Sequence, residues 1–558
     1  MKLIIKIVII ILFLVGIFFR IWRLERTPIE LFGDEIDVGL QAYSILTTGK
    51  DYLGNELPLM FHSFSEYRLP MQLYLDVPFI KIFGLKEIGV RAPAVLMGFI
   101  SLAFFYYLIK KLFDKHLAVI ATLFLLFSPW HFNFSRQAND AGILLPFIIG
   151  GALFFIKGIK DYKYLFLSAI LFALSIYTYA IAAIFTPIFV LALIIIYRKE
   201  VSNYGLIKIV FVAGVGFLIL LPYLKFMLNG IASQRFSSIS VTSGDSIFQE
   251  VVDKRRWSES LLTRFYYNTK AITLDRVVKN YLTSFSTTFL FSKGDPNMRQ
   301  GIEGFGQMYD FEIVFVFIGL SFILFLDFKN NKKIYLAFFL WLILSPIPSS
   351  LTIDGGSHAS RLILMLPPLT FFSAIGFKQL LDNLLVKKEI FYKLILAGIL
   401  IFMLFDFMKF IHRYFVIWPN ESWRFWQYGF KDSISFVKEV DPSYKKVYFN
   451  NTYEPILPRF LFWYGYDMKL FQEQFTGDVH IDHIANGFNG FKLGEKYYFG
   501  ELVKPIEGLA KPDTLVVASA EKDATNPLIF NSVYLKLQKT VNAPTGEPIF
   551  YIFSGRDI

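Results

Sequence analysis

Long runs of apolar residues, each closed by a short polar stretch, dominate the first 410 positions of the chain. A helix that crosses a bilayer needs about 20 predominantly apolar residues. The block pattern therefore predicts eleven spanning helices, at 3–20, 88–109, 116–130, 141–157, 164–178, 180–197, 206–227, 311–327, 334–350, 361–377 and 391–410. The stretch 164–197 is taken as two spans, because its length far exceeds one crossing. The first segment opens on Lys2 and Lys6 and runs into Arg20-Ile21-Trp22-Arg23 with no small-residue cleavage signal, so it is expected to be kept as a span.

The polar connections set the direction. With the N-terminus cytoplasmic, the inside loops carry Lys110, Lys111 and Lys115; Lys157, Lys160 and Lys163; Arg198, Lys199 and Lys208; Lys329, Lys332 and Lys333; and Lys378, Lys387, Lys388 and Lys393. The short outside turns 131–140 and 351–360 carry only Arg136 between them. That is the positive-inside pattern. The long connections 21–87 and 228–310 and the tail 411–558 then all fall outside, and long loops are where chemistry tends to be carried.

The tail changes period. Lys445–Asn450 and Asp513–Ser519 read as strands, 427–439 has helical spacing, and 534–553 holds two β-like runs around the turn signal Asn542-Ala543-Pro544-Thr545-Gly546. The expected architecture is mainly α, a polytopic membrane helical bundle over 1–410 followed by a small extracytoplasmic α/β domain over 411–558.

Composition adds three points. At 55% hydrophobic with 64 Phe and 30 Tyr, the chain fits a lipid-facing protein. Its net charge of +11 would raise nucleic acid for a soluble chain. Here it reads as orientation signal, with attraction to anionic headgroups worth about 1 kcal/mol per basic residue near the surface. The absence of cysteine excludes disulfides, thiolate zinc sites and iron–sulfur clusters.

Candidate chemistry gathers at the outer ends of the spans. Asp34 and Glu35 follow the first span and precede a helical stretch, Ile36–Leu46. By spacing alone they suit a helix N-terminus, which favours acids, or a general base near the membrane surface. Glu66 and Arg68 stand before Pro70 and fit either an ion pair or a sugar hydroxyl and a phosphate. The turn 128–140 is dense in polar groups, with His131, Arg136 and Asp140; on one helix Arg136 and Asp140 would share a face. Lys293 and Arg299 lie in a Gly- and Pro-rich loop, and His358 and Arg361 in the turn before the tenth span, where Arg361 suits either snorkelling or a lipid phosphate. No phosphate-loop, dinucleotide or G-x-S-x-G pattern is present.

This set resembles the membrane-embedded GT-C glycosyltransferases, most closely the protein O-mannosyltransferases and the aminoarabinose transferases that modify lipid A. The resemblance rests on Asp34-Glu35, Glu66-Tyr67-Arg68-Leu69-Pro70, Ser128-Pro129-Trp130 with Ser135-Arg136 and Asp140, Gly294-Asp295 with Arg299, and Ser357-His358-Ala359-Ser360-Arg361. It implies a polyprenyl-phosphate-linked sugar as donor and an extracytoplasmic acceptor (lipid, glycan or protein). It implies catalytic roles for Asp34, Glu35 and Asp140, and leaves open a divalent metal at Asp34 and Asp140. Glu66, Arg68, His131, Arg136, Lys293, Arg299, His358 and Arg361 would bind donor phosphate and sugar. Arg68 stands where many relatives have Lys, and the tail does not resemble the sugar-binding repeats of eukaryotic protein mannosyltransferases. The expected protein is a multi-pass plasma-membrane glycosyltransferase that inverts the anomeric centre. The alternatives are a lipid or solute transporter, which would want charges within the spans and internal repeats, and a partner-binding receptor without catalysis.

Overall fold

A computed structural model of the protein describes residues 2–63, 67–230, 234–258, 260–386, 389–475, 482–485, 487–503 and 505–557. Glu66, Lys387 and Lys388 lie outside the described residues. In chain order the helices are α1 (Lys2–Ile21), α2 (Gly33–Thr48), α3 (Pro70–Phe83), α4 (Glu87–Leu112), α5 (Lys115–Phe127), α6 (Pro129–Phe134), α7 (Asp140–Gly158), α8 (Lys163–Ile176), α9 (Ala182–Ile196), α10 (Arg198–Ser202) and α11 (Leu206–Leu228). They continue with α12 (Gln234–Ile239), α13 (Ser246–Arg255), α14 (Leu261–Tyr266), α15 (Thr269–Thr283), α16 (Glu312–Phe322), α17 (Lys332–Leu344), α18 (Ile347–Ser350), α19 (Leu366–Val386) and α20 (Ile390–His412). The last four are α21 (Trp418–Ser422), α22 (Phe430–Val440), α23 (Ile456–Phe460) and α24 (Met468–Gln474).

Each of the eleven apolar segments is helical, in α1, α4, α5, α7, α8, α9, α11, α16, α17, α19 and α20. Six helices among the described residues are long and apolar enough to cross a membrane: Glu87–Leu112, Asp140–Gly158, Leu206–Leu228, Lys332–Ser350, Ile363–Val386 and Ile390–Ser422. Lys115–Phe127, Lys163–Ile176 and Ala182–Ile196 are apolar but shorter. A chain with helices of this kind is an integral membrane protein. The run 164–197 does break into α8 and α9, at 177–181.

The chain forms two compact units. The first comprises Met1–Trp22, Leu59–Gln72 and Ala94–Tyr414. A continuous core cluster in it includes Phe105, Leu125, Trp130, Leu144, Ile148, Phe185, Leu364 and Phe371. α16 and α19 approach backbone to backbone: a Cβ on Gly319 would stand 2.1 Å from the Phe372 carbonyl oxygen, and one on Gly376 1.8 Å from that of Phe315. Small residues at such crossings let helices gain packing and dispersion where lipid removes the hydrophobic drive. The outward faces of α11 and α20 instead expose Leu206, Ile207, Phe211, Ile401 and Leu404.

The second unit comprises Arg23–Pro58, Leu73–Pro93 and Phe415–Ile558. Its sheet contains β3 (Lys446–Asn450), β4 (Asp482–Ala485), β5 (Phe488–Leu493), β6 (Tyr497–Leu502), β7 (Thr514–Ser519), β8 (Leu535–Asn542) and β9 (Pro548–Gly555); β1 (Phe61–His62) and β2 (Tyr67–Arg68) form a separate two-stranded ladder in the first unit. The order is β4-β5-β6-β3-β7-β9-β8, parallel at β6-β3-β7 and antiparallel outside. The parallel strands β3 and β7 are buried almost throughout, which is why Val447-Tyr448-Phe449 and Leu515-Val516-Val517-Ala518 are unbroken apolar runs. The helix expected at 427–439 begins at Phe430, after Gly429 turns the chain at φ +108°.

A boundary at 410/411 does not describe this second unit, because stretches of the first outside loop belong to it. α2 packs on α23 and α24. Gln472 Nε2 donates to the Asp51 carbonyl at 2.7 Å, and Gly429 N and Lys431 N each donate to the Glu30 carboxylate at 2.8 Å. Buried polar groups of the loop find their partners in the tail.

Candidate active site

The acidic pair opens α2, but its two members part company. Glu35 is 3% exposed. It receives Arg91 Nε at 3.2 Å and Nη2 at 3.0 Å, and it reaches back to accept from the Phe32 amide at 3.3 Å. Arg91 also donates to the carbonyls of Leu24 (3.1 Å), Pro28 (2.8 Å) and Glu30 (2.7 Å), so this buried, bidentate pair fixes the loop that leads into α2. Adjacent helix positions are about 100° apart, so Asp34 points elsewhere and stands half-buried. Beside it, Gly33 N donates to Gln427 Oε1 at 3.0 Å, and Arg459 Nη2 donates to the same oxygen. Arg459 is 3% exposed, and its guanidinium lies 4.6 Å from the Phe430 ring centre. Burial lowers its pKa to about 10, opposed by the negative charges of Glu454, Glu30 and Asp34. Glu30, in the same wall, is pushed up to about 8 by burial against the two backbone donors it accepts.

In the first unit the turn 128–140 is not one helix. α6 ends at Phe134 and α7 begins at Asp140, so Arg136 and Asp140 do not share a helical face. Asn139 caps α7 through Ala141 N at 2.9 Å, and Asp140 sits half-buried in the first turn, where the helix dipole favours a carboxylate. Arg136 is fully buried and donates to the carbonyls of Phe19 (2.6 Å), Arg20 (2.7 Å) and Trp22 (2.9 Å). It closes the C-terminus of α1, whose last carbonyls have no partner within the helix. His131 is also buried: Arg20 Nη2 lies 2.9 Å from Nδ1, and Ser101 Oγ lies 2.8 Å from Nε2. Arginine can only donate, so Nδ1 accepts and Nε2–H faces serine. Burial and the Arg20 charge hold the imidazole pKa well below its ordinary value. His131 and Arg136, both expected to bind the donor, are thus buried and hydrogen-bonded to groups inside the unit.

The later cationic motifs come together. Asp295 Oδ2 accepts from Ala359 N at 2.7 Å, and Gln300 Oε1 accepts from Ser360 N at 3.2 Å. These bonds join the loop carrying Arg299 to the turn carrying His358 and Arg361. Asp295 Oδ1 also caps its own loop through Asn297 N at 2.8 Å. Burial raises Asp295 to about 6, against the backbone donors and the positive charges of Arg299 and Arg361. Arg361, half-buried, donates to Thr352 Oγ1 at 2.8 Å, and His358 Nδ1 lies 3.0 Å from Ser360 Oγ. The 128–140 turn braces this assembly. Trp130 Nε1 donates to the Ala359 carbonyl at 3.1 Å, and Gln137 Nε2 donates to that of Arg299 at 2.8 Å. Lys293 is exposed at the loop edge. Arg68 lies half-buried on β2, paired with Phe61 in the β1-β2 ladder. Just beyond it, Met71 N donates to the Tyr177 carbonyl at 3.3 Å, and Tyr179 OH lies 3.2 Å from Ser360 Oγ. Glu66 lies outside the described residues.

Sequence reasoning passed over Glu30, Arg91, Gln427 and Arg459. Arg91 had one visible signal, an arginine inside the apolar Val90–Leu96 stretch. The other three carry none: Glu30 meets Gly429 across 399 positions, Gln427 meets Gly33 across 394, and Arg459 meets Gln427 across 32. Among the described residues no group of three His, Cys, Asp or Glu side chains is placed to hold a metal ion.

Residues 68–226 match the family model described as dolichyl-phosphate-mannose-protein mannosyltransferase. Over nearly the whole chain the structure is similar to ArnT from Cupriavidus metallidurans bound to undecaprenyl phosphate. The TM-score is 0.53 at 12% identity, covering 97% of this chain and 97% of that one. The apo state of ArnT gives 0.52 at 12% identity, covering 99% of each chain. The Archaeoglobus fulgidus oligosaccharyltransferase in complex with Zn and sulfate gives 0.50 at 13% identity, covering 97% of this chain and 72% of that one. No curated protein matches by sequence. At these identities the comparison establishes the fold: the chain shares that of ArnT over nearly its whole length.

Proposed function

We propose that this protein transfers a sugar from a polyprenyl monophosphate to a hydroxyl of an extracytoplasmic acceptor, in the plasma membrane, with the N-terminus cytoplasmic. The observation that carries this is the divided acidic pair: Glu35 is locked to Arg91 while Asp34 stands half-buried beside it. In one displacement the acceptor oxygen attacks the anomeric carbon and the bond from that carbon to the phosphate oxygen breaks. The phosphate leaves with the bonding electrons, and Asp34 takes the acceptor's proton. Inversion follows from attack opposite the leaving group. Arg361, Arg299 and Arg68 stabilise the charge that grows on the phosphate, where cations count most in the transition state. Asp140 orients substrate. Two further facts support the donor class: the family model concerns dolichyl-phosphate-mannose, and the similar ArnT structure holds undecaprenyl phosphate.

The test is transfer from a panel of radiolabelled polyprenyl-phosphate sugars in membranes, wild type against Asp34→Asn. Label moved only by the wild type supports the proposal; undiminished transfer by folded Asp34→Asn overturns the base assignment. Orientation is tested separately. The chain has no cysteine, so a single Gly546→Cys is expected to react with an impermeant maleimide on intact cells, and Lys111→Cys only after lysis.

A further inference from the structure

We infer that Arg459, supplied by the C-terminal domain, is a positioning residue for Asp34, so that the tail is an integral part of the catalytic site. This rests on Asp34 acting as the base. Arg459 lies on α23, which packs directly on α2. Its Nη1 donates to the Pro455 carbonyl at 2.6 Å and its Nη2 to Gln427 Oε1, the oxygen that also receives Gly33 N at 3.0 Å. A Cβ on Gly33 would stand 3.0 Å from Arg459 Nη2, so the guanidinium lies against the residue that precedes Asp34. Phe430 covers one face of the cation, and the side chain is almost fully buried.

A buried guanidinium is costly unless charges and acceptors face it. The groups around it are Glu30, which is occupied by Gly429 N and Lys431 N, together with Glu454 and Asp34. Nearby, Glu35 is taken by Arg91, and Lys431 by Glu87. Of the carboxylates facing Arg459, Asp34 is the one at the opening of α2. The planar fork anchors two oxygens at once, which a lysine ammonium cannot reproduce. Arg459 thereby fixes the Phe32–Asp34 entry to α2 and places a cation beside the base. Within the second unit this also gives a reason for the loop and tail to fold together.

The experiment uses the full-length protein in nanodiscs. Donor KM and kcat, per mole of folded protein, are measured for wild type, Arg459→Ala and Arg459→Lys, with Asp34→Asn as reference. Displacement of a reacting group by about 1 Å costs on the order of a hundredfold in rate, so kcat is expected to fall about tenfold to a hundredfold in both Arg459 variants with donor KM within about twofold. Ethylguanidinium, but not ethylammonium, is expected to restore part of the rate of Arg459→Ala. The inference is overturned by wild-type kcat in either folded variant, or by a loss that appears only as less folded protein. Where Arg459→Ala does not fold, Arg459→Lys decides on the same criterion. Undiminished activity of Asp34→Asn removes the base assignment and this inference with it; an inactive Asp34→Asn beside unaffected Arg459 variants removes this inference alone.

Discussion

Two stretches of the first unit, both rich in polar residues, hold their charged side chains in different ways. In the 128–140 turn, His131 and Arg136 are buried and spent on Arg20, Ser101 and the open end of α1. In the paired segments 293–300 and 357–361, backbone amides and the side chains of Asp295 and Gln300 do the bracing, and Arg299 and Arg361 remain half-buried. A similar contrast recurs in the second unit between neighbours: Glu35 is buried and paired with Arg91, while Asp34, the proposed base, is half-buried. Polar density at the end of a span does not by itself mark a site.

The largest effect is expected at Asp34 and Glu35, where the contrast is sharpest. Asp34→Asn should lower transfer by about a hundredfold or more, the scale of general-base catalysis, with an unchanged unfolding midpoint. Glu35→Gln should cost about 3–5 kcal/mol, because it leaves buried Arg91 without its charge, while the rate per folded molecule stays close to normal. If Glu35→Gln abolishes transfer without loss of stability, the division of the pair fails.

Next come the arginines. Arg136→Met should destabilise the protein by about 3 kcal/mol, since three carbonyls lose a charged donor. Arg361→Met should reduce transfer about tenfold to a hundredfold with little change in stability. Thermal unfolding and transfer, measured on both variants, read the two effects apart.

A smaller effect concerns pH. Asp295 titrates near 6 in the folded protein against an ordinary 3.8, so the unfolded chain loses this proton first. Its contribution makes stability fall as pH rises from about 4 to about 6, and it is level above that. Asp295→Asn should flatten that part of the stability profile in detergent. The smallest change is at exposed Lys293. Lys293→Ala should alter transfer less than about twofold at physiological salt, with any effect vanishing as salt screens it.

Much of the scaffold was legible in the sequence. All eleven apolar runs are helices, the 164–197 break falls between α8 and α9, and the tail strands at 445–450 and 513–519 appear within a residue of where alternation and apolar runs put them. One end of the sheet, β4 to β6, and the short helices α23 and α24 were not visible, because short elements carry too few positions for a period to show. Among the site candidates, sequence brought forward the cationic segments around Arg299 and Arg361, which the fold joins through Asp295. It could not tell that His131 and Arg136 would be spent internally.

The sequence by itself determined where the helices run, because apolar length and periodicity are local properties and bilayer thickness sets their scale. It also determined which residue types crowd their ends. Only the tertiary structure decided which partners those charges meet. A buried donor or acceptor must find a partner wherever the fold supplies one, and Arg136 with α1, Glu35 with Arg91, and Glu30 with Gly429 are matched across 116, 56 and 399 positions of chain.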